Sequence, residues 1–299
     1  MMSSIIEIMN KFPNQETCVK FLEELRWNSK PKCIFCLSEE TFPIVKELRH
    51  HCKKCNKSFS VTAGTVFHNT RVPLQKWFVI ITLMTNAKKG ISACQVARDT
   101  NLPWITVWRI MHKIRSTMTD KETMLLSRTI EMDETYIGGK PRKSNNVEQS
   151  TNNPRGIGTR KACVIGIIER NGNVKITHAN NEPLTSEYLQ KIVKTSVEIN
   201  NSTLITDQYP GYSKMNTLLN HKQINHKETF SNLYGIHTNT IEGFWAILKR
   251  GIISQFHWIS KKWLQYYLNE FCFKYNYRKE KSMFKILIIK CLLKNKLYP

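Results

Sequence analysis

Four cysteines and three acids in this 299-residue chain have the residue types and spacings from which chemistry can be built. Cys33-x-x-Cys36 and Cys52-x-x-Cys55 are separated by fifteen residues. Paired knuckles at that spacing let four thiolates surround one Zn²⁺ tetrahedrally, and no coordination position stays open for a reaction. The expected role of the metal is therefore structural, because a short, turn-rich segment with little core of its own needs it to fold. His50 and His51 adjoin Cys52, but the four thiolates already complete the shell, so both are read as surface or supporting groups.

The acids are farther apart. Asp133 lies in a run of strand formers, Arg128 to Ile137, and Asp207 ends a buried-strand pattern that starts at Ser202. Glu242 lies in HTNTIEGFWAILKRG at 237–251, where Ile241, Phe244, Trp245, Leu248 and Ile252 recur at helical spacing. Between them, KACVIGIIER and NVKITHA flank an Asn171-Gly172 turn and predict a hairpin, and a helix is predicted from about Ser186 to Asn200. The order is strand, strand, strand, helix, strand, helix. In open α/β sheets, reactive groups gather at the carboxyl ends of strands. Asp133 and Asp207 can thus face each other across adjacent strands, with Glu242 approaching from above.

Three clustered carboxylates repel one another unless a cation neutralises them. Mg²⁺ or Mn²⁺ suits such oxygen donors. Two ions about 4 Å apart would activate a water or a 3′-hydroxyl and stabilise the leaving oxygen of a phosphodiester. Each acid also has a plainer reading. Asp207 precedes a Gln208-Tyr209-Pro210-Gly211 turn and could serve only as its acceptor. Glu131 or Glu134, in the same EMDE run, could replace Asp133. Asn239 at N-cap with Glu242 at the third helical position would form a capping box. Spacing by itself leaves these alternatives open.

Other segments supply the means of binding a polyanion. Ser92 to Arg115 predicts a short helix, Ala93 to Asp99, a tight Asn101-Leu102 turn, and a second helix with Pro103 in its first turn. Val96, Ala97, Leu102, Val107, Ile110 and Ile114 can pack together, leaving Thr106, Arg109, His112 and Lys113 facing out. That is the layout of a helix-turn-helix, although an ordinary helical hairpin has the same pattern. Residues 45 Lys and Arg against 23 Asp and Glu give a net charge of +22, which points to nucleic acid. An AT-rich genome would enrich Lys, Asn and Ile in the same way.

Apolar content of 41%, with seven Trp and ten Tyr, excludes global disorder. No basic segment followed by an apolar run opens the chain, and the longest apolar runs are too short to span a bilayer. The expectation is an intracellular protein without a membrane partner, nuclear in a eukaryotic host and otherwise in the cytoplasm or nucleoid, with reduced or metal-bound cysteines.

MDETYIGGK at 132–140, TDQYPGY at 206–212 and HTNTIEGFWAILKRG at 237–251 resemble the three blocks of ISXO-type insertion-sequence transposases and their eukaryotic relatives, the Merlin transposases. LEELRW, the two knuckles and FSVTAGTVFHNTRVPLQKWF at 59–78 resemble that family's N-terminal zinc-ribbon region, so the resemblance covers about residues 15 to 280. It implies a DDE transposase with an RNase H-like catalytic domain, in which Asp133, Asp207 and Glu242 bind Mg²⁺ or Mn²⁺. Thirty-four residues lie between Asp207 and Glu242, a spacing typical of such enzymes. Asn239 and Lys249 also match the third block. Some relatives carry Asn in place of the Glu, which makes Asn239 a rival third ligand, but a carboxylate is the better ligand for a hard cation. Lys249, seven residues beyond Glu242 on the same helical face, is placed with Arg250 to hold DNA phosphate. The first knuckle, CIFCLSEE, departs from the family by lacking the Gly common after such knuckles.

The expected architecture is α/β: a helical segment at 1–28, a zinc ribbon at 29–62, a helix-turn-helix-like region at 70–120, and an RNase H-like mixed-sheet catalytic domain at 128–283. A polar loop at 140–160 interrupts the catalytic domain, and a basic tail follows at 284–299. The expected reaction is metal-dependent cleavage at transposon ends and transfer of the freed 3′-OH into target DNA. Terminal inverted repeats and target DNA are the partners, and a dimer or higher oligomer joins two ends. A domesticated DNA-binding regulator and a related nuclease or resolvase are the competing functions.

Overall fold

A computed structural model describes residues 4–119, 125–138, 161–180, 182–224 and 236–293, so the loop expected at 140–160 lies outside the described residues. The chain forms two compact units, one of residues 1–119 with 277–299 and the other of residues 120–276.

In the first unit, α1 (Ile5–Lys11) and α2 (Gln15–Trp27) are separated at Pro13, as the interrupted apolar stripe predicts. Asn14 caps α2 by accepting from the Thr17 N–H at 2.9 Å. The ribbon is a three-stranded antiparallel sheet of β1 (Thr41–Ile44), β2 (Arg49–Cys52) and β3 (Ser58–Phe59). Helices α3 (Leu74–Asn86), α4 (Ala93–Thr100) and α5 (Trp104–Arg115) follow. Residues 284–292 of the basic tail, whose helical rhythm of Lys and apolar residues predicts a folded segment, belong to α9 (Met283–Leu292), which joins this unit. The reason is apolar periodicity: Phe284, Leu287, Ile288 and Cys291 are buried, and the Phe284 ring lies 5.6 Å from Phe78.

The second unit is built on β4 (Leu126–Ile137), β5 (Ala162–Glu169), β6 (Val174–His178), β7 (Val197–Thr206) and β8 (Asn220–Gln223), in the spatial order β6-β5-β4-β7-β8. The first three strands pair antiparallel, and β7 and β8 run parallel to β4. This mixed α/β sheet has the strand order of an RNase H-like domain. Helix α6 (Ser186–Ser196) ends four residues before the expected boundary. Val197 begins β7 instead, fully buried and paired with Leu126, because its β-branched side chain packs better on the pleated surface.

Alternation along the strands divides the core into two layers. Ile130 and Met132 of β4, with Ile165 and Ile167 of β5, pack with Leu189 and Val193 of α6 on one face. Val164 and Ile168 pack on the other face with α7 (Asn239–Gly251) and α8 (Lys261–Asn276), through Ile241, Phe244, Trp245 and Leu248 of α7. The period-2 strand pattern thereby puts Glu131 and Asp133 on the α7 face and Glu134 on the α6 face.

Gly166 of β5 is the close-approach point. A Cβ there would lie 2.6 Å from the Trp245 indole carbons and 3.1 Å from Ile241 Cδ1. Ile241 and Trp245 belong to the helix that carries Glu242. Gly166→Ala is expected to lift α7 and destabilise the protein by about 1–3 kcal/mol. A urea unfolding midpoint equal to wild type would contradict this packing.

Candidate active site

Continuing the β4–β7 register from Glu131↔Ile205 by two residues brings Asp133 level with Asp207, at the carboxyl end of β7. Asp133 Oδ2 accepts the Trp245 indole N–H at 2.9 Å. Burial pushes its carboxyl up to about 6, opposed by the Trp245 hydrogen bond and reinforced by the negative charges of Asp207 and Glu242. Asp207 and Glu242 thus both act on the Asp133 carboxyl, although among the described residues only the four cysteines bring their ligand atoms together as a metal-binding group. Asp207 is also the turn acceptor that its Pro-Gly context suggests, since its Oδ1 accepts from the Tyr209 N–H at 3.0 Å.

Glu134 occupies the opposite face and accepts the Tyr212 hydroxyl at 2.6 Å. Burial raises its carboxyl to about 7; the Tyr212 hydrogen bond opposes this, and the charges of Asp133 and Asp207 add to it. Tyr212 is fully buried and ends the Pro210–Tyr212 turn, so this bond ties the chain just after Asp207 to the strand carrying Asp133.

The expected capping box at α7 does not form. Thr238 is the N-cap and Asn239 is the first helical residue, so Glu242 is the fourth. Glu242 Oε1 accepts the Thr238 hydroxyl at 2.9 Å rather than a backbone N–H. The free amides of the first turn go to Glu131, reaching across from β4: the Thr240 and Ile241 N–H groups donate to its Oε2 at 2.9 and 3.0 Å. Glu131 thus takes the capping role assigned to Glu242. Glu242, Asn239, Lys249 and Arg250 are exposed on α7, and Arg250 Nε donates to the Ala246 carbonyl at 2.9 Å.

In the ribbon, the ligand atoms of Cys33, Cys36, Cys52 and Cys55 all lie within 4.8 Å of one another. The Cys33–Cys55 and Cys36–Cys52 sulfurs are 3.6 and 3.5 Å apart, which suits four thiolates around one Zn²⁺. His50 is not among them: its Nε2 lies 2.7 Å from Glu23 Oε1, and its ring packs edge-on against Trp27. His51 bonds Ser58 and Asn56. The missing knuckle glycine corresponds to Leu37, at φ +60°, and Asn56 follows the second knuckle at φ +53°. Leu37 carries the left-handed conformation at a steric cost that Gly would not have.

Helices α4 and α5 meet at a tight turn, with Ser92 capping α4 and Asn101 left-handed at φ +48°. Arg109 is exposed, and Thr106 and Lys113 are half-buried. His112 does not face out. It is 5% exposed, with its ring 4.2 Å from Trp108, because one residue beyond Met111 the helix still faces the core. Trp104 and Ile105, at 58% and 39% exposed, occupy the outer surface beside Arg109. The sequence does not single out Trp245 or Tyr212 as site residues, and it offers Glu131 only as a substitute for Asp133. Alternation, which puts Glu131 on the face of Asp133, was the available signal.

Residues 125–276, half of the chain, match the ISXO2-like transposase domain, and residues 13–58 match the transposase zinc-ribbon domain. The chain belongs to the ISXO2-like transposase family. An uncharacterized protein in transposable element ISH50 of Halobacterium salinarum is 24% identical over 277 residues, covering 87% of this chain and 90% of that protein. Among solved structures, the Mos1 strand transfer complex is similar at 12% identity and TM-score 0.28, over 72% of this chain and 74% of that one. The Mos1 transposase paired-end complex with left transposon end gives 12% and 0.29, over 72% and 75%. Likeness at this level does not define a fold; the sheet order of the transposase does. Among the described residues no helix is long and apolar enough to cross a membrane.

Two outcomes follow for the transposase. Cys36→Ser, or a strong chelator, is expected to remove the Zn²⁺ held by the four thiolates and unfold the ribbon, read as zinc content and increased proteolysis within residues 29–62. Asp133→Asn is expected to stabilise the metal-free protein at pH 7.5. The native Asp133 carboxyl holds its proton up to about pH 6, against 3.8 for an ordinary aspartate, so its penalty grows between those values and is full above them. The gain is about 1–3 kcal/mol at pH 7.5 and vanishes below about pH 4, measured as the melting temperature against pH.

Proposed function

We propose that the transposase cleaves phosphodiester bonds at transposon ends and joins the freed 3′-hydroxyl to target DNA, using Asp133, Asp207 and Glu242 as ligands for Mg²⁺ or Mn²⁺. The carrying observation is the parallel β4–β7 register that brings Asp133 level with Asp207 within the matched transposase domain, and the charges of Asp207 and Glu242 on the Asp133 carboxyl agree with it. The donor chemistry fits the metals, since carboxylate oxygens suit hard divalent cations. When bound, such cations lower the pKa of a coordinated water or hydroxyl and stabilise the leaving oxygen.

The chain's own residues do the rest. Trp245 orients the Asp133 carboxylate through its Oδ2. Asp207 likewise spends Oδ1 on its turn. Glu242 is the third ligand in preference to Asn239, one turn earlier, because a carboxylate is the better ligand for a hard cation. Lys249 and Arg250 bind backbone phosphate near the same face of α7, and Arg109, with Thr106 and Lys113, reads the terminal inverted repeats from α5. Two ends are joined, so the working form is a dimer or higher oligomer.

The test uses duplexes carrying the element's own ends, a target DNA, and Mg²⁺ or Mn²⁺. Cleavage and joining are expected from wild type, with both reduced to background in Asp133→Ala, Asp207→Ala and Glu242→Gln. Activity retained in any of these variants would overturn that residue's assignment. Cleavage without joining would instead identify a nuclease, and specific binding without cleavage a regulator.

A further inference from the structure

Glu131 stands on β4 two residues before Asp133, and its side chain is 0% exposed. A carboxylate buried this completely is tolerated only where hydrogen bonds and charge compensate it. Its Oε2 accepts the Thr240 and Ile241 backbone N–H groups at 2.9 and 3.0 Å. Its Oε1 accepts the Thr240 hydroxyl at 2.9 Å and Arg170 Nε at 2.6 Å. Arg170, immediately after β5, also donates through Nη2 to the His237 carbonyl at 2.7 Å. One carboxylate therefore joins the strand of Asp133, the hairpin behind it and the first turn of the helix of Glu242.

The two amides held by Glu131 belong to the residues directly before Glu242. The apolar stripe of α7 selects which helical face meets the sheet, but dispersion contacts are non-directional and resist sliding along the axis weakly. Hydrogen bonds from two successive amides to one oxygen fix both the rise and the rotation of the helix. The anion also meets the positive end of the helix dipole, so the attachment is strong where the dipole is strongest.

We propose that Glu131 is a positioning residue of the transposase centre: it sets α7 against β4 so that the Glu242 carboxylate meets Asp133 and Asp207. This inference rests on the assignment of those three acids made above. It gives the EMDE run a division of labour, in which Asp133 acts on the substrate side and Glu131 holds the helix that completes the site.

The experiment titrates Mg²⁺ against end cleavage for the full chain and for Glu131→Gln, with binding to the terminal DNA and thermal melting measured on the same samples. Glu131→Gln keeps the shape, removes the charge, and places an amide N–H₂ where Arg170 Nε or the Thr240 hydroxyl must donate. The expected result is an increase of about 10- to 100-fold in the Mg²⁺ needed for half-maximal cleavage, the range found when a group orienting a metal ligand is removed. DNA affinity should change less than about twofold. A lowered melting point with an unchanged metal requirement would show a purely structural role and overturn the proposal. If Glu131→Gln does not fold, Thr240→Val decides instead, since it deletes only the hydroxyl donor; it should raise the Mg²⁺ requirement in the same direction, and no rise would overturn the proposal. Glu242→Gln is run in parallel. Cleavage surviving in that variant would defeat the assignment of the acids, whereas its loss together with an unshifted Glu131→Gln would defeat only the positioning role.

Discussion

The close approach of Trp245 to Gly166 is the constraint on which the catalytic unit depends. A helix can lie this near a sheet only where a strand lacks a side chain, and here the Cβ space of Gly166 is filled by the indole. Gly166 pairs directly with Asp133, so the indole that fills the gap also reaches the carboxylate beside it. Packing and electrostatics are thereby joined in one contact. Burial beneath α7 raises the affinity of Asp133 for protons, and the Trp245 hydrogen bond opposes that rise.

Three acids within four residues of β4 are kept in three different environments by the pleat of a single strand. Glu131 is compensated by amides and a guanidinium, Asp133 by an indole N–H and the Glu134 backbone N–H, and Glu134 by a buried tyrosine hydroxyl. Asp133 and Glu134 each face two further carboxylates, those of Asp207 and Glu242 for Asp133 and those of Asp133 and Asp207 for Glu134. What sets Asp133 apart is its place, beside the Trp245 indole and level with Asp207. The two flanking acids hold the frame instead: one fixes the helix that carries Glu242, and the other fixes the turn that carries Asp207.

The first unit has a different source of order. Its ribbon has a core of Cys33, Cys52 and Phe59 with little apolar support beyond Trp27, so metal coordination must supply most of its folding energy. The helices beside it are held conventionally, by an aromatic cluster of Phe12, Phe21, Phe78 and Phe284. Phe284 comes from the far end of the chain, and α9 could not be told from a basic tail by charge alone. On α5, the outward surface is part aromatic and part basic, with Trp104 and Ile105 beside Arg109.

Local pattern determined much of this protein. The knuckle spacing specifies four converging thiolates, because a CxxC turn leaves its sulfurs few directions in which to point. The strand and helix periods specify the α/β class and the apolar face of α7, because burial must follow those periods. Family blocks in the sequence single out Asp133, Asp207 and Glu242 among 23 acids. The tertiary structure decided what periodicity does not encode. It replaced the Asn239–Glu242 capping box with Glu131, because a cap donated from another strand leaves no local sequence mark. It buried His112 and folded Phe284 inward, because neighbours distant in sequence cover them. It also distinguished Asp133 from Glu131 and Glu134, three acids of one run whose roles differ only through the partners that long-range pairing brings to each.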